Sequence, residues 1–140
     1  MRPSKDKYFA EIAAVVAKRS TCPRRSVGAV IVDEHGYILS TGYNGLPKGF
    51  EHCVDNPCPG ASCPSGTGLE LCEALHAEQN AIARLREPLS AKILYCTTAP
   101  CISCTKLALA TSIDRIVFSS DYPTSGKALW EKAGKVWEQV

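Results

Sequence analysis

His76-Ala77-Glu78, followed further along by Pro100-Cys101-Ile102-Ser103-Cys104, constrains this chain more than any other feature. Residues two apart on the flank of a helix do not share a face. His76 and Glu78 can therefore converge only where a helix begins and its first turn reaches over the N-terminus. The same holds for Cys101 and Cys104, so the fold must bring two helix starts to one point. One imidazole and two thiols there supply three metal ligands and leave one carboxylate free. Three protein ligands leave a fourth position open to solvent, whereas a structural zinc centre is closed by four. The positive ends of two helices favour thiolate over thiol. Two thiolates and a neutral imidazole balance Zn²⁺, an arrangement that draws a coordinated water towards a pKa of roughly 7. Glu78 is then the candidate catalytic residue, placed to take that water's proton and hand it on. A Cys-x-x-Cys alone fits a zinc ribbon or knuckle equally well, and a lone histidine is more often a surface or core residue. The unliganded carboxylate between two helix-start signals separates the catalytic reading from both.

The chain has eight cysteines in 140 residues. Four disulfides would suit a secreted scaffold, but no apolar stretch approaches a signal core or a membrane span. A cytoplasmic protein with metal-bound or buried thiols is expected instead. Cys22, Cys53, Cys58 and Cys72 could form a closed four-thiolate zinc site that ties residues 43–73 to the start of the first strand. Cys63 could replace Cys58 in it, and free buried cysteines are the simpler alternative. Cys96, inside a strand, reads as a small core residue. The length is that of one domain, 1–140. A net charge of +2 is too small to mark a nucleic-acid-binding face.

The apolar spacing predicts a helix over 5–19, capped by Ser4, with Tyr8, Phe9, Ile12, Val15 and Val16 at helical spacing. A hairpin over 27–42 follows, then a Pro/Gly-rich loop over 43–73, long enough to imply a function or a staple of its own. Helices are expected over 74–86 (Leu75, Ile82 and Leu85 inward, Pro88 closing), 101–111 and 126–133, with strands over 93–97, 114–119 and 136–139. This αββαβαβαβ order predicts an α/β fold. Helices should cover both faces of a five-stranded mixed sheet, with the first hairpin antiparallel and the last three strands parallel.

Four segments together, Cys22-Pro-Arg-Arg-Ser-Val-Gly-Ala29, Gly42-Tyr-Asn-Gly45, His76-Ala-Glu-Gln-Asn-Ala-Ile82 and Ala99-Pro-Cys-Ile-Ser-Cys104, resemble the deoxycytidylate (dCMP) deaminase family over essentially residues 8–140. The zinc signature is shared by nucleobase deaminases at large; its combination with Gly-Tyr-Asn-Gly is the more specific part. The resemblance implies a three-layer cytidine deaminase-like fold and zinc-dependent hydrolysis of dCMP to dUMP and ammonia, feeding dTMP synthesis. It implies substrate contacts from Arg25, Ser26, Asn44, Ala77 and Tyr122, with Arg25 at the 5′-phosphate. From spacing alone, Arg24 and Arg25 are equal candidates for that anion. It further implies a second zinc on Cys22, Cys53, Cys58 and Cys72. A homohexamer is implied as well, activated by dCTP and inhibited by dTTP. The effector would lie near Tyr43, Asn44, Gly45 and His52, with Mg²⁺ accompanying its triphosphate.

Other deaminases share the zinc motif. A tRNA adenosine deaminase would need a basic face. A guanine or free-cytidine deaminase would not need an arginine near the pocket. A non-catalytic zinc module serving DNA uptake or assembly is the alternative of another class, and Glu78 argues against it.

Overall fold

The computed structural model describes residues 1–140, the side chain of Leu69 excepted. Helix α1 spans Lys5–Ala17, and the Ser4 hydroxyl accepts from the Lys7 N–H at 3.2 Å. Its buried face is narrower than the apolar spacing predicts. Phe9, Ala13 and Ala17 are buried, while Tyr8 and Val15 are exposed. The reason lies on strand β1 (Gly28–Val32), where Gly28 comes so close to the Ala13 carbonyl that a Cβ would overlap it. Backbone-to-backbone packing of that kind admits small residues only.

Strand β1 runs antiparallel to β2 (Ile38–Tyr43) on one side and to β3 (Ile93–Thr98) on the other. Strands β4 (Arg115–Ser120) and β5 (Val136–Gln139) continue in parallel, giving the order β2-β1-β3-β4-β5. The expected mixed sheet with a terminal hairpin and three parallel strands is therefore present. Every residue of β1 is buried, as a central strand covered on both faces requires. Phe9 and Ala13 of α1 cover one face through Val30, Val32, Tyr95 and Val117. Helices α2 (Ala77–Ala83), α3 (Ile102–Leu109) and α4 (Lys127–Lys132) cover the other over Ile31, Leu94, Ile116 and Phe118. Arg115 on β4 clamps the start of α1, donating to both Asp6 carboxylate oxygens at 2.9 and 2.6 Å and to Glu138 at 2.9 Å.

Helix α2 is shorter than the expected 74–86. Residues 74–76 are extended because Leu75 pairs with Gly45, its N–H donating to the Gly45 carbonyl at 2.8 Å and its carbonyl accepting at 3.1 Å. Leu75 is consequently half-exposed rather than inward. Pro88 begins a short 3₁₀ turn (Pro88–Ser90) after the helix has already ended. Among the described residues no helix is long and apolar enough to cross a membrane.

Candidate active site

His76 is the N-cap of α2 and Cys101 the N-cap of α3. Glu78 and Cys104 project from the first turns behind them, so the two helix starts meet as the spacing requires. The Gln79 side chain accepts from the His76 N–H at 2.8 Å and fixes the entry to α2. His76 Nδ1 lies 3.4 Å from Cys101 Sγ and 3.2 Å from Cys104 Sγ, and the three ligand atoms are within 4.8 Å of one another. Among the described residues this is the one group of three or more metal-binding side chains drawn that close.

The donor set fits a divalent zinc ion. The Cys104 thiol and then His76 pull Cys101 down to about 4, while the Cys101 sulfur and burial push Cys104 well above the ordinary thiol range. Two thiols thus share one proton, and a cation between them would take both as thiolates. Thr105, itself buried, donates to the Cys101 carbonyl at 2.9 Å, and Gly126 packs so tightly on Thr105 that no Cβ fits there. The loop before α4 therefore holds the N-terminus of α3 in place.

Glu78 is 4% exposed. Burial raises its pKa, with the Cys104 thiol opposing. Beside it, Cys96 is buried with its thiol proton retained, its pKa pushed up by burial and then by the Glu78 charge. Cys96 is thus the core residue expected of it.

A cleft opens from the ligand set, with Ala77, Asn44, Arg25 and Tyr122 in its walls. Asn44 turns its side chain to the backbone: Nδ2 donates to the Arg25 carbonyl at 2.7 Å and Oδ1 accepts from Val27 N–H at 2.9 Å. It holds Arg25 in place while remaining in the wall. The Arg25 guanidinium stacks on the Tyr122 ring 5.1 Å from its centroid, and its buried Nη1 has no hydrogen-bond partner. Arg24 Nη1 instead donates to three carbonyls, of Cys63, Pro64 and Thr67. Both arginines line the cleft, Arg24 with its Nη1 engaged by carbonyls and Arg25 with its Nη1 unpartnered. Ser26 is exposed and is not among the residues that line the cleft. Ser65 and Gly66 line the cleft without any motif to announce them.

Cys53 and Cys58 are buried, and the Cys58 N–H donates to Cys53 Sγ at 3.3 Å. Burial pushes Cys58 up, but N–H groups of Glu73 and Gly60 and the thiols of Cys53 and Cys72 more than offset it, so its pKa is lowered. Cys22 lies near enough to Cys53 to act on its charge. Cys63 sits instead beneath Gly68. Cys22 and Cys72 also border the cleft. A second cavity, of about 440 Å³, is lined by Tyr43, Gly45, His52, Lys48 and Arg84, with Asn44 in the first cleft instead. Leu75 lines both.

Residues 3–120 match the family described as the cytidine and deoxycytidylate deaminase zinc-binding region. The chain is 42% identical to a deoxycytidylate deaminase of Schizosaccharomyces pombe over 86% of its length, and spans 38% of that relative. It is 41% identical to the deoxycytidylate deaminase of Mycobacterium phage D29, over 86% of this chain and 98% of the phage protein. The crystal structure of the dCMP deaminase from cyanophage S-TIM5 in complex with dCMP and dUMP superposes with a TM-score of 0.81. The two are 27% identical, with 100% of this chain and 99% of that one covered.

Proposed function

Because the chain belongs to the cytidine and deoxycytidylate deaminase zinc-binding family, we propose that it hydrolyses dCMP to dUMP and ammonia. One observation carries the reading. A buried carboxylate that is free of the ligand set, Glu78, lines the same cleft as His76 and Cys101, and Arg25, with its unpaired guanidinium nitrogen, lines it too. The relatives' activity supports the substrate, as does the dCMP and dUMP bound in the cyanophage structure.

In this reading His76, Cys101 and Cys104 hold zinc, which when bound supplies a Lewis acid that makes water nucleophilic at neutral pH. Glu78 would take the first proton of the attacking water and give it to the pyrimidine ring nitrogen, then take the second from the added hydroxyl and give it to the departing amino group, which leaves as ammonia. Its burial-raised pKa suits both directions of transfer. Ala77, fully buried beside it, gives the ring a small apolar wall. Arg25 offers its free N–H to the 5′-phosphate, with Tyr122 beneath and Asn44 behind. The experiment is ammonia release with dCMP, CMP, deoxycytidine and dCTP side by side. Preference for dCMP supports the assignment, and equal rates with deoxycytidine would remove the phosphate from it.

The remaining parts of the proposal rest on separate observations. The Cys58 N–H on Cys53 Sγ and the electrostatic interactions that link Cys22, Cys53, Cys58 and Cys72 support a second, structural zinc on these four, which would have to draw in thiols of which no three lie within 4.8 Å of one another. The second cavity, with Lys48, His52 and Arg84 in its walls, suits an anionic effector, and we place dCTP or dTTP with its Mg²⁺ there. Leu75, shared by both cavities and adjacent to His76, is the physical route between them. The proposed enzyme works as a homohexamer in the cytoplasm, where its ligand thiols stay reduced.

A further inference from the structure

Arg24 and the turn it grips have no place in the reaction described so far. Arg24 precedes β1, and the turn lies in the long excursion between β2 and α2. A single nitrogen, Nη1, meets three carbonyls: Cys63 at 3.2 Å, Pro64 at 3.1 Å and Thr67 at 2.7 Å. The turn has few ties of its own. Its Thr67 N–H and hydroxyl both return to the Pro64 carbonyl, at 3.0 and 2.6 Å. Gly66 has a φ of +82°, which glycine adopts without strain, and a Cβ on it would stand 3.6 Å from the Tyr122 hydroxyl. Gly66 and Ser65 form a cleft wall on the side of Tyr122 and Arg25. Among the described residues no carboxylate pairs with either arginine.

We propose that Arg24 is a positioning residue whose guanidinium straps the 63–67 turn across the cleft, setting the wall that faces Tyr122 and Arg25. This rests on the cleft being a pyrimidine-nucleotide site. The strap fixes a segment that would otherwise be free to leave, because three of its carbonyls are bound to one side chain rather than to regular structure. The carbonyls satisfy Nη1 without a phosphate. Removing it should loosen the wall for any occupant of the cleft, with or without a phosphate. A phosphate ligand would behave otherwise and affect phosphorylated occupants alone.

The test uses the zinc-loaded full chain and two variants, Arg24→Ala and Arg24→Gln, the latter able to reach part of the carbonyl set. Amide hydrogen exchange over 63–68 needs no ligand and reads the strap directly. Inhibition constants for dUMP and deoxyuridine read the wall. The expected result is at least tenfold faster exchange over 63–68 in Arg24→Ala, a smaller increase in Arg24→Gln, and exchange in β1 and β3 unchanged. Both inhibition constants should rise severalfold or more, with KM for dCMP moving further than kcat. Unchanged exchange over 63–68 would overturn the proposal, and so would a rise confined to dUMP, which would make Arg24 a phosphate ligand. Wild-type protein that bound neither dUMP nor deoxyuridine would instead defeat the nucleotide reading, leaving the exchange result to judge the strap alone.

Discussion

The Arg25 guanidinium lies over the Tyr122 ring, 5.1 Å from its centroid, and its buried Nη1 has no partner. A buried unsatisfied donor is costly, and here it is held by stacking and by the Asn44 bond to the Arg25 carbonyl. Replacing Arg25 by alanine should raise KM for dCMP by roughly tenfold or more, the equivalent of one charge-assisted hydrogen bond. Turnover of unphosphorylated deoxycytidine should change far less. Steady-state kinetics on both substrates check this, and an equal loss on the two would place the phosphate elsewhere.

Glu78 is the residue whose chemistry is most exposed to a conservative change. Glu78→Gln keeps the shape and the buried position but removes proton transfer. Turnover should fall by roughly 10²–10⁴-fold or more, with bound zinc and melting temperature close to wild type. Near-normal turnover with zinc retained would take Glu78 out of the reaction.

The four cysteines Cys22, Cys53, Cys58 and Cys72 should bind one zinc beyond the ion held by His76. Cys53→Ser should lower zinc content from two equivalents to one, lower the melting temperature, and speed amide exchange over 43–73. Metal analysis of the variant and the wild type decides the point. Two equivalents and an unchanged melting temperature in the variant would leave these thiols as core residues.

The Arg115 guanidinium holds the Asp6 carboxyl below its ordinary value, first through its hydrogen bonds, with the Tyr95 hydroxyl adding to it. A depressed folded-state pKa contributes stability that is complete above the unfolded carboxylate pKa of about 3.9 and is lost as pH falls through the folded value. Asp6→Asn should therefore destabilise by roughly 1–2 kcal/mol near neutrality. The gap from wild type should shrink as pH drops below about 4. Denaturation midpoints at pH 7 and pH 3 test it, and a gap independent of pH would mean that Asp6 contributes through packing alone.

Sequence and structure agree most where chemistry leaves a single geometric solution. His76, Glu78, Cys101 and Cys104 could converge only at helix starts, and there they lie. The run Val27 to Val32 reads as a buried strand because nothing polar interrupts it. Boundaries set by backbone partners were hidden. Leu75 has the spacing of an inward helical residue, but its pairing with Gly45 holds it outside the helix. Tyr8 and Val15 match the apolar period of α1, but the close approach of Gly28 narrows the face that α1 can bury. Arg24 and Arg25 look alike in the sequence because the partners of Arg24 are carbonyls, which no side chain identifies. Ser26 illustrates the same limit in reverse: a residue inside a family motif need not face the cleft.

The most direct measurement follows the loss of dCMP absorbance by purified, zinc-loaded protein, with and without dCTP, beside the same protein stripped of metal and the Glu78→Gln variant. The expected result is stoichiometric dUMP and ammonia from the loaded wild type, and little or none from the other two. Loaded wild type that leaves dCMP intact with and without dCTP, or a stripped protein as active as the loaded one, would contradict the account.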